Sequence, residues 1–155
     1  MTKQDVTEMI AQVTRRIAGL PIDAALGDLL NREFPTDGQL FKAIQAACAE
    51  GVAAGWMCQQ EYGGIKFGRV VKPCPELHDF SIDVVDMAEV IGPHHRHPLG
   101  EIDMIMPLEG NARFDGHGAG WLVYGPDSAH KPTVSGGRAY VLYLLPEGAI
   151  EFTRQ

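Results

Sequence analysis

Two imidazoles stand two residues apart in the segment His94-His95-Arg96-His97-Pro98-Leu99-Gly100-Glu101, and a carboxylate follows four residues after the second. The segment reads as loop running into strand. Side chains at i and i+2 of a strand face the same side, so His95 and His97 can point at one atom. Glu101 shares their parity and can offer an oxygen from the same direction. Neutral imidazoles with a carboxylate suit a divalent transition metal, and the pattern predicts a metal site. Asp103 has the same parity, so either carboxylate can be the acidic ligand. His94 has the opposite parity and would face away, and His117, in the turn Asp115-Gly116-His117-Gly118, reads as solvent-exposed.

Strands must hold such a site, and the second part of the chain predicts them. After Gly63-Gly64, β-rich runs alternate with Gly, Pro and Asp turns about every ten residues, as in all-β barrels and sandwiches. Candidate strands are 65–71, 80–87, 101–106, 112–114, 120–124, 130–134, 138–145 and 149–152. The first sixty or so residues instead carry helical spacing. Val6, Met9, Ile10, Val13 and Ile17 form one apolar stripe ending near Gly19. Asp23 caps a second helix bearing Leu26, Leu29 and Leu30, which stops at Pro35. Thr36 and Gln39 have capping-box spacing and open a third helix through Leu40, Phe41, Ile44, Cys48 and Val52. The plan is a helical arm over 1–62 followed by a barrel over 63–155, in one domain. The arm would pack on its own barrel or on a partner subunit, and its stripe predicts a homodimer.

Composition narrows the partners. At 155 residues, with 45% hydrophobic and 21% charged residues, the chain can bury one substantial core. A formal net charge of -7, with an acidic helical arm, makes nucleic acid a poor partner. No apolar run approaches the roughly 20 residues that span a bilayer. Met1-Thr2-Lys3-Gln4-Asp5 lacks the apolar core of a secretion signal, so a cytoplasmic location is expected. Cys48, Cys58 and Cys74 match no zinc pattern or disulfide framework, and Cys48 reads as a buried thiol.

The string His95-x-His97-x3-Glu101, followed by Leu108-Glu109-Gly110 and Arg113-Phe114, resembles the first conserved motif of the cupin superfamily. The second cupin motif, a Gly, a Pro/Gly turn and then His, is resembled by Gly120-Trp121-Leu122-Val123-Tyr124-Gly125-Pro126-Asp127-Ser128-Ala129-His130. The resemblance implies a mainly β fold, a cupin-type double-stranded β-helix (jelly-roll) barrel with an N-terminal α-helical arm. It also implies His130 as a fourth ligand beside His95, His97 and Glu101. Two departures stand out. The gap from Glu101 to Gly110 is longer than usual, whereas Asp103 has the usual distance; Glu101 is preferred for its distance from His97. Asp127 stands where a Gly is common. The ligand set suits Fe, Mn, Ni or Zn alike.

The helical first third, together with His95-Arg96-His97-Pro98-Leu99-Gly100-Glu101-Ile102-Asp103-Met104-Ile105-Met106-Pro107, is similar to the 4-hydroxylaminobenzoate lyases, a small cupin-like family of bacterial nitroaromatic breakdown. That resemblance implies conversion of 4-hydroxylaminobenzoate and water to 3,4-dihydroxybenzoate and ammonia. The change is redox-neutral, and no nicotinamide or flavin fingerprint is present. For such a reaction a metal can take the N–O oxygen as a Lewis acid while a carboxylic acid or imidazole shuttles protons, and Glu101 or Asp103, whichever does not ligate, is the expected proton carrier. A small aromatic acid needs a cation and apolar or aromatic walls. Arg69 shares parity with Ile65 and Phe67 and is the first choice of cation. Arg138 shares parity with Tyr140 and Leu142 and is the second, while Tyr140, Tyr124 and Trp121 are candidates for the ring wall. The same ligands would also serve an Fe(II) dioxygenase of an aromatic compound, or a non-catalytic small-molecule-binding cupin.

Overall fold

In the computed structural model, which describes residues 1–153, three helices precede nine strands. The helices are α1 (Lys3–Ile17), α2 (Ala24–Glu33) and α3 (Gln39–Ala54). The strands are β1 (Gln60–Tyr62), β2 (Ile65–Val71), β3 (Phe80–Ile91), β4 (His95–His97), β5 (Glu101–Phe114), β6 (Gly120–Tyr124), β7 (Ser128–His130), β8 (Thr133–Pro146) and β9 (Glu151–Phe152). An antiparallel six-stranded sheet runs β1-β2-β3-β8-β5-β6, and a three-stranded sheet runs β7-β4-β9. This is the mainly β, cupin-type barrel with N-terminal helices that the motifs imply. Among the described residues no helix is long and apolar enough to cross a membrane.

The central strands are buried on both faces, and alternation sorts their side chains into two layers. Ile82, Val84, Ile102, Met104, Met106, Tyr140, Leu142 and Leu144 face the helices and join one core with Val6, Ile10, Val13, Ile17, Leu30, Phe41 and Ile44. Val85, Met87, Ile105, Val141, Tyr143 and Leu145 face the barrel interior and form a second core with Phe114 and Val134. The α1 stripe is therefore covered by the chain's own core, to which α3, the turn at Pro75–Leu77 and β2 contribute. Val6, Ile10 and Val13 are fully buried and Met9 is half-buried, so the stripe packs on the chain itself.

Several boundaries differ from the sequence reading, each for a local reason. The runs read as two strands at 101–106 and 112–114 are one long β5, and β8 likewise continues from Thr133 to Pro146. Pro107 and Gly110 mark register shifts within the β5–β8 ladder, so the chain bends there without leaving the sheet. Gly137 makes the bend possible: a Cβ on it would lie 1.8 Å from the Glu109 carbonyl oxygen. Gln60–Tyr62, read as part of the helical arm, forms β1 and pairs with β2. Asp23 does cap α2, accepting from the Leu26 N–H at 3.1 Å. Thr36 does not cap α3; Gly38 occupies that position with no side-chain bond. The capping box lies instead at α1, where Thr2 and Asp5 bond reciprocally.

β6 is an edge of the large sheet, and α2 covers it. The Asn31 amide donates to the Trp121 carbonyl oxygen at 2.9 Å and accepts from the Trp121 N–H at 2.8 Å, as a neighbouring strand would. The Trp121 indole donates to the Phe34 carbonyl oxygen at 2.9 Å. Asn31→Ala strips both backbone partners from buried Trp121 and is expected to cost about 1–3 kcal/mol, read from the urea midpoint. A midpoint unchanged from wild type would show that the edge is held by apolar contact alone.

Candidate metal centre

His95 and His97 lie on β4 in the small sheet, and cross-strand register places His130 of β7 opposite His95 and Ser128 opposite His97. Glu101 opens β5 in the large sheet. The shared parity of the two imidazoles holds, but Glu101 reaches them from the other sheet, after a turn, rather than along one strand. Gly100 makes that turn. It has a φ of +96°, and a Cβ there would lie 2.6 Å from the Ile22 side chain and 3.0 Å from the Tyr124 carbonyl oxygen.

Four ligand atoms, one each from His95, His97, Glu101 and His130, lie within 4.8 Å of one another. Glu101 Oε1 is 3.5 Å from His95 Nε2, and its Oε2 is 3.2 Å from His97 Nε2 and 3.6 Å from His130 Nε2. The Nε2 atoms of His95 and His130 are 3.1 Å apart. Among the described residues, His97 Nε2 and both Glu101 oxygens are buried without a hydrogen-bond partner. Buried polar atoms normally have one, and three imidazoles converging on a carboxylate form a donor set that a divalent cation satisfies.

Outer contacts orient these ligands. Ser128 Oγ donates to the Gly125 carbonyl oxygen at 2.6 Å and so accepts from His97 Nδ1 at 2.9 Å. The His97 proton therefore sits on Nδ1, and Nε2 presents its lone pair to the cluster. His130 Nδ1 donates to Asp115 Oδ2 at 2.5 Å, and the same oxygen accepts from the Tyr124 hydroxyl at 2.5 Å. The other Asp115 oxygen accepts from the Thr133 N–H at 2.9 Å. Neither Asp115 nor Ser128 stood out in the sequence, because their roles depend on cross-sheet contacts; only the proximity of Ser128 to His130 hinted at one.

Charge divides the two carboxylates of β5. Burial alone would raise the Glu101 carboxyl, but the imidazoles of His130, His95 and His97 crowded against it hold it well below the usual carboxylate range. Asp103 is fully buried with both oxygens unpartnered among the described residues. Burial first, and then the neighbouring Glu101 charge, push it well above that range, toward the protonated form. Burial lowers the His130 imidazole, yet its bonds to Asp115 and Glu101 outweigh that and carry it up to about 9. Burial and the bond to Asp115 raise the Tyr124 phenol.

A cavity of about 760 Å³ opens beside the cluster, lined by apolar Phe67, Val85 and Leu145 and by polar His95, Arg69 and Tyr143. Arg69 is on the inner face, as its parity with Ile65 and Phe67 predicts. It donates from Nε to Asp83 at 2.8 Å and from Nη2 to the Gly148 carbonyl oxygen at 3.0 Å. Tyr124 lies against the cluster, its ring centroid 4.6 Å from that of His130 and 5.5 Å from that of His97. The structure does not bring Arg138 or Tyr140 to the site. Tyr140 belongs to the helix-side core, and Arg138 beside it is bound to Asp86 through two hydrogen bonds of 2.9 and 2.8 Å. Trp121 is likewise on the helix side. Because β8 is apolar on both faces, parity groups its residues correctly without revealing which group faces inward. For the same reason nothing in the sequence marks Tyr143, of the opposite parity, as inward-facing.

A profile of 4-hydroxylaminobenzoate lyase (PnbB) matches residues 8–152. A 4-hydroxylaminobenzoate lyase of Nocardioides sp. (strain LMS-CY) is 31% identical over 97% of this chain and 95% of its own length. One from Pseudomonas putida is 32% identical over 81% of each chain. Among solved structures, the chain is similar to an RmlC-like cupin protein from Ralstonia eutropha JMP134, with a TM-score of 0.46 and 16% identity over 64% of this chain and 66% of that one. It is also similar to the DMSP lyase DddQ from Ruegeria pomeroyi DSS-3, with a TM-score of 0.41 and 17% identity over 98% of each chain. With nearly its whole length matched, and a cluster of potential metal ligands inside its barrel, the chain belongs to the 4-hydroxylaminobenzoate lyase family.

Proposed function

We propose that this protein converts 4-hydroxylaminobenzoate and water to 3,4-dihydroxybenzoate and ammonia, using a divalent transition metal held by His95, His97, Glu101 and His130. The observation that carries this reading is the placement of two chemistries side by side: a cluster of buried ligand atoms and, beside it, an apolar cavity that His95 of that cluster lines together with a cation with donors to spare. A bound divalent cation would supply Lewis acidity toward the N–O oxygen.

Arg69 binds the substrate carboxylate. Asp83 and Gly148 engage its Nε and Nη2, leaving Nη1 donors available, whereas Arg138 is bidentate to Asp86 with Glu109 beside its third nitrogen. The apolar walls take the ring and keep bulk water from it. Asp103, neutral because of burial and the Glu101 charge, carries the proton. When the N–O bond breaks, its electron pair leaves on oxygen, and the Asp103 proton completes a departing water. One water then adds to the ring carbon beside the nitrogen-bearing one and returns a proton to Asp103 as its C–O bond forms; a second adds to the nitrogen-bearing carbon, whose C–N bond breaks to release ammonia, so that one water is consumed net.

Metal analysis of the purified protein, paired with an ammonia-release assay on 4-hydroxylaminobenzoate, tests the whole reading. His97→Ala is expected to lose both metal and turnover, and full turnover by a metal-free variant would rule out the proposed chemistry. Oxygen consumption with catechol-type substrates would instead mark a dioxygenase. Asp103→Asn keeps the shape but cannot relay a proton, so kcat should fall about 10²- to 10⁴-fold with metal content retained. Arg69→Ala should raise KM about 10- to 100-fold, the worth of a charged hydrogen bond, with a smaller change in kcat; an unchanged KM removes Arg69 from the carboxylate role.

A further inference from the structure

Most polar groups around the cavity already have an occupation. His95 belongs to the ligand cluster, Arg69 is tied to Asp83 and Gly148, and Asp83 also accepts from Ser81 Oγ at 2.8 Å. The Tyr143 hydroxyl does not. Its side chain lines the cavity and is only 5% exposed, yet among the described residues the hydroxyl makes no hydrogen bond. The ring is buried but the hydroxyl opens on the cavity, where a phenol takes its partner from whatever fills the space. The Tyr124 phenol shows the ordinary case, bound to Asp115 at 2.5 Å.

Position gives the free hydroxyl a meaning. Strand pairing sets Arg69, Asp83, Tyr143 and Asp103 side by side across β2, β3, β8 and β5. Neighbouring strands are about 4.8 Å apart, so Tyr143 stands one strand from the proton carrier and two from the cation. Its ring is steadied by Phe114, with centroids 6.2 Å apart. A substrate held in the cavity by Arg69 and extending toward Asp103, which lies behind the cavity wall, passes this phenol.

We infer that the Tyr143 hydroxyl is a catalytic contact, donating a hydrogen bond to the oxygen of the substrate's hydroxylamino group. The assignment rests on the lyase reading and extends it to a residue outside the ligand set. Tyr143 keeps its proton throughout. Its hydrogen bond strengthens as the N–O electron pair moves onto that oxygen, while the proton that completes the departing water comes from Asp103. Such a donor favours the transition state over the bound substrate.

Tyr143→Phe removes one oxygen and preserves the packing. Expected are a kcat for ammonia release about 100-fold below wild type, an unchanged KM, and unaltered metal content and thermal midpoint. The inhibition constant of 4-aminobenzoate, which lacks the reacting oxygen, should not move. Tyr140→Phe, on the helix side of the same strand, should match wild type. A Tyr143→Phe enzyme with wild-type kcat overturns the assignment alone, as does a 4-aminobenzoate constant that worsens in step with the lost activity. A wild-type protein that releases no ammonia overturns the lyase reading, and this assignment with it.

Discussion

A carboxylate with no exposed surface sits at the centre of this barrel, and it can be there only because three imidazoles surround it. Removing an ionised carboxyl from water without compensation costs many kcal/mol. Glu101 avoids that cost through His95, His97 and His130, each within 3.6 Å of one of its oxygens. The arrangement also explains its neighbour. Once Glu101 holds the negative charge, Asp103, on the same face of β5 and equally buried, is pushed toward its protonated form. Two carboxyls two residues apart are thus pushed in opposite directions, by environment rather than by residue type.

The helices keep this chemistry on one side of the sheet. By covering the outer face they let the central strands be apolar on both faces, which leaves the inner face free to carry a few polar groups among bulky walls. β3 shows the division within four residues. Asp83 points inward and binds Arg69 through one hydrogen bond, whereas Asp86 points toward the helices and engages Arg138 through two. The outward pair is saturated and ties β3 to β8. The inward one leaves guanidinium donors facing the cavity.

Much of this plan was legible in the residues. Helical spacing marked α1, α2 and α3, and the alternation with Gly and Pro punctuation marked β2 and β6 at their observed limits. His95 and His97 were readable because a two-residue spacing on a strand has one geometric outcome. Pro107, Gly110, Gly136 and Gly137 were misread as strand ends, since a glycine that allows a bulge and one that allows a turn look alike without the partner strand. The choice of Arg138 and Tyr140 failed for a related reason. Alternation says which residues share a face, but where both faces are apolar it does not say which one is inside.

The sequence by itself determined the helical and strand periodicities, the motif spacing that gathers His95, His97 and Glu101, and, through the second motif, the identity of His130. These depend on local geometry that residue types impose wherever the chain goes. Only the tertiary structure decided that Glu101 answers the imidazoles from the opposite sheet, that Asp115 and Ser128 aim two of them, and that Tyr143 rather than Tyr140 lines the cavity. Those outcomes follow from register and from which side of the sheet the helices cover, and contacts between residues distant in the chain fix both.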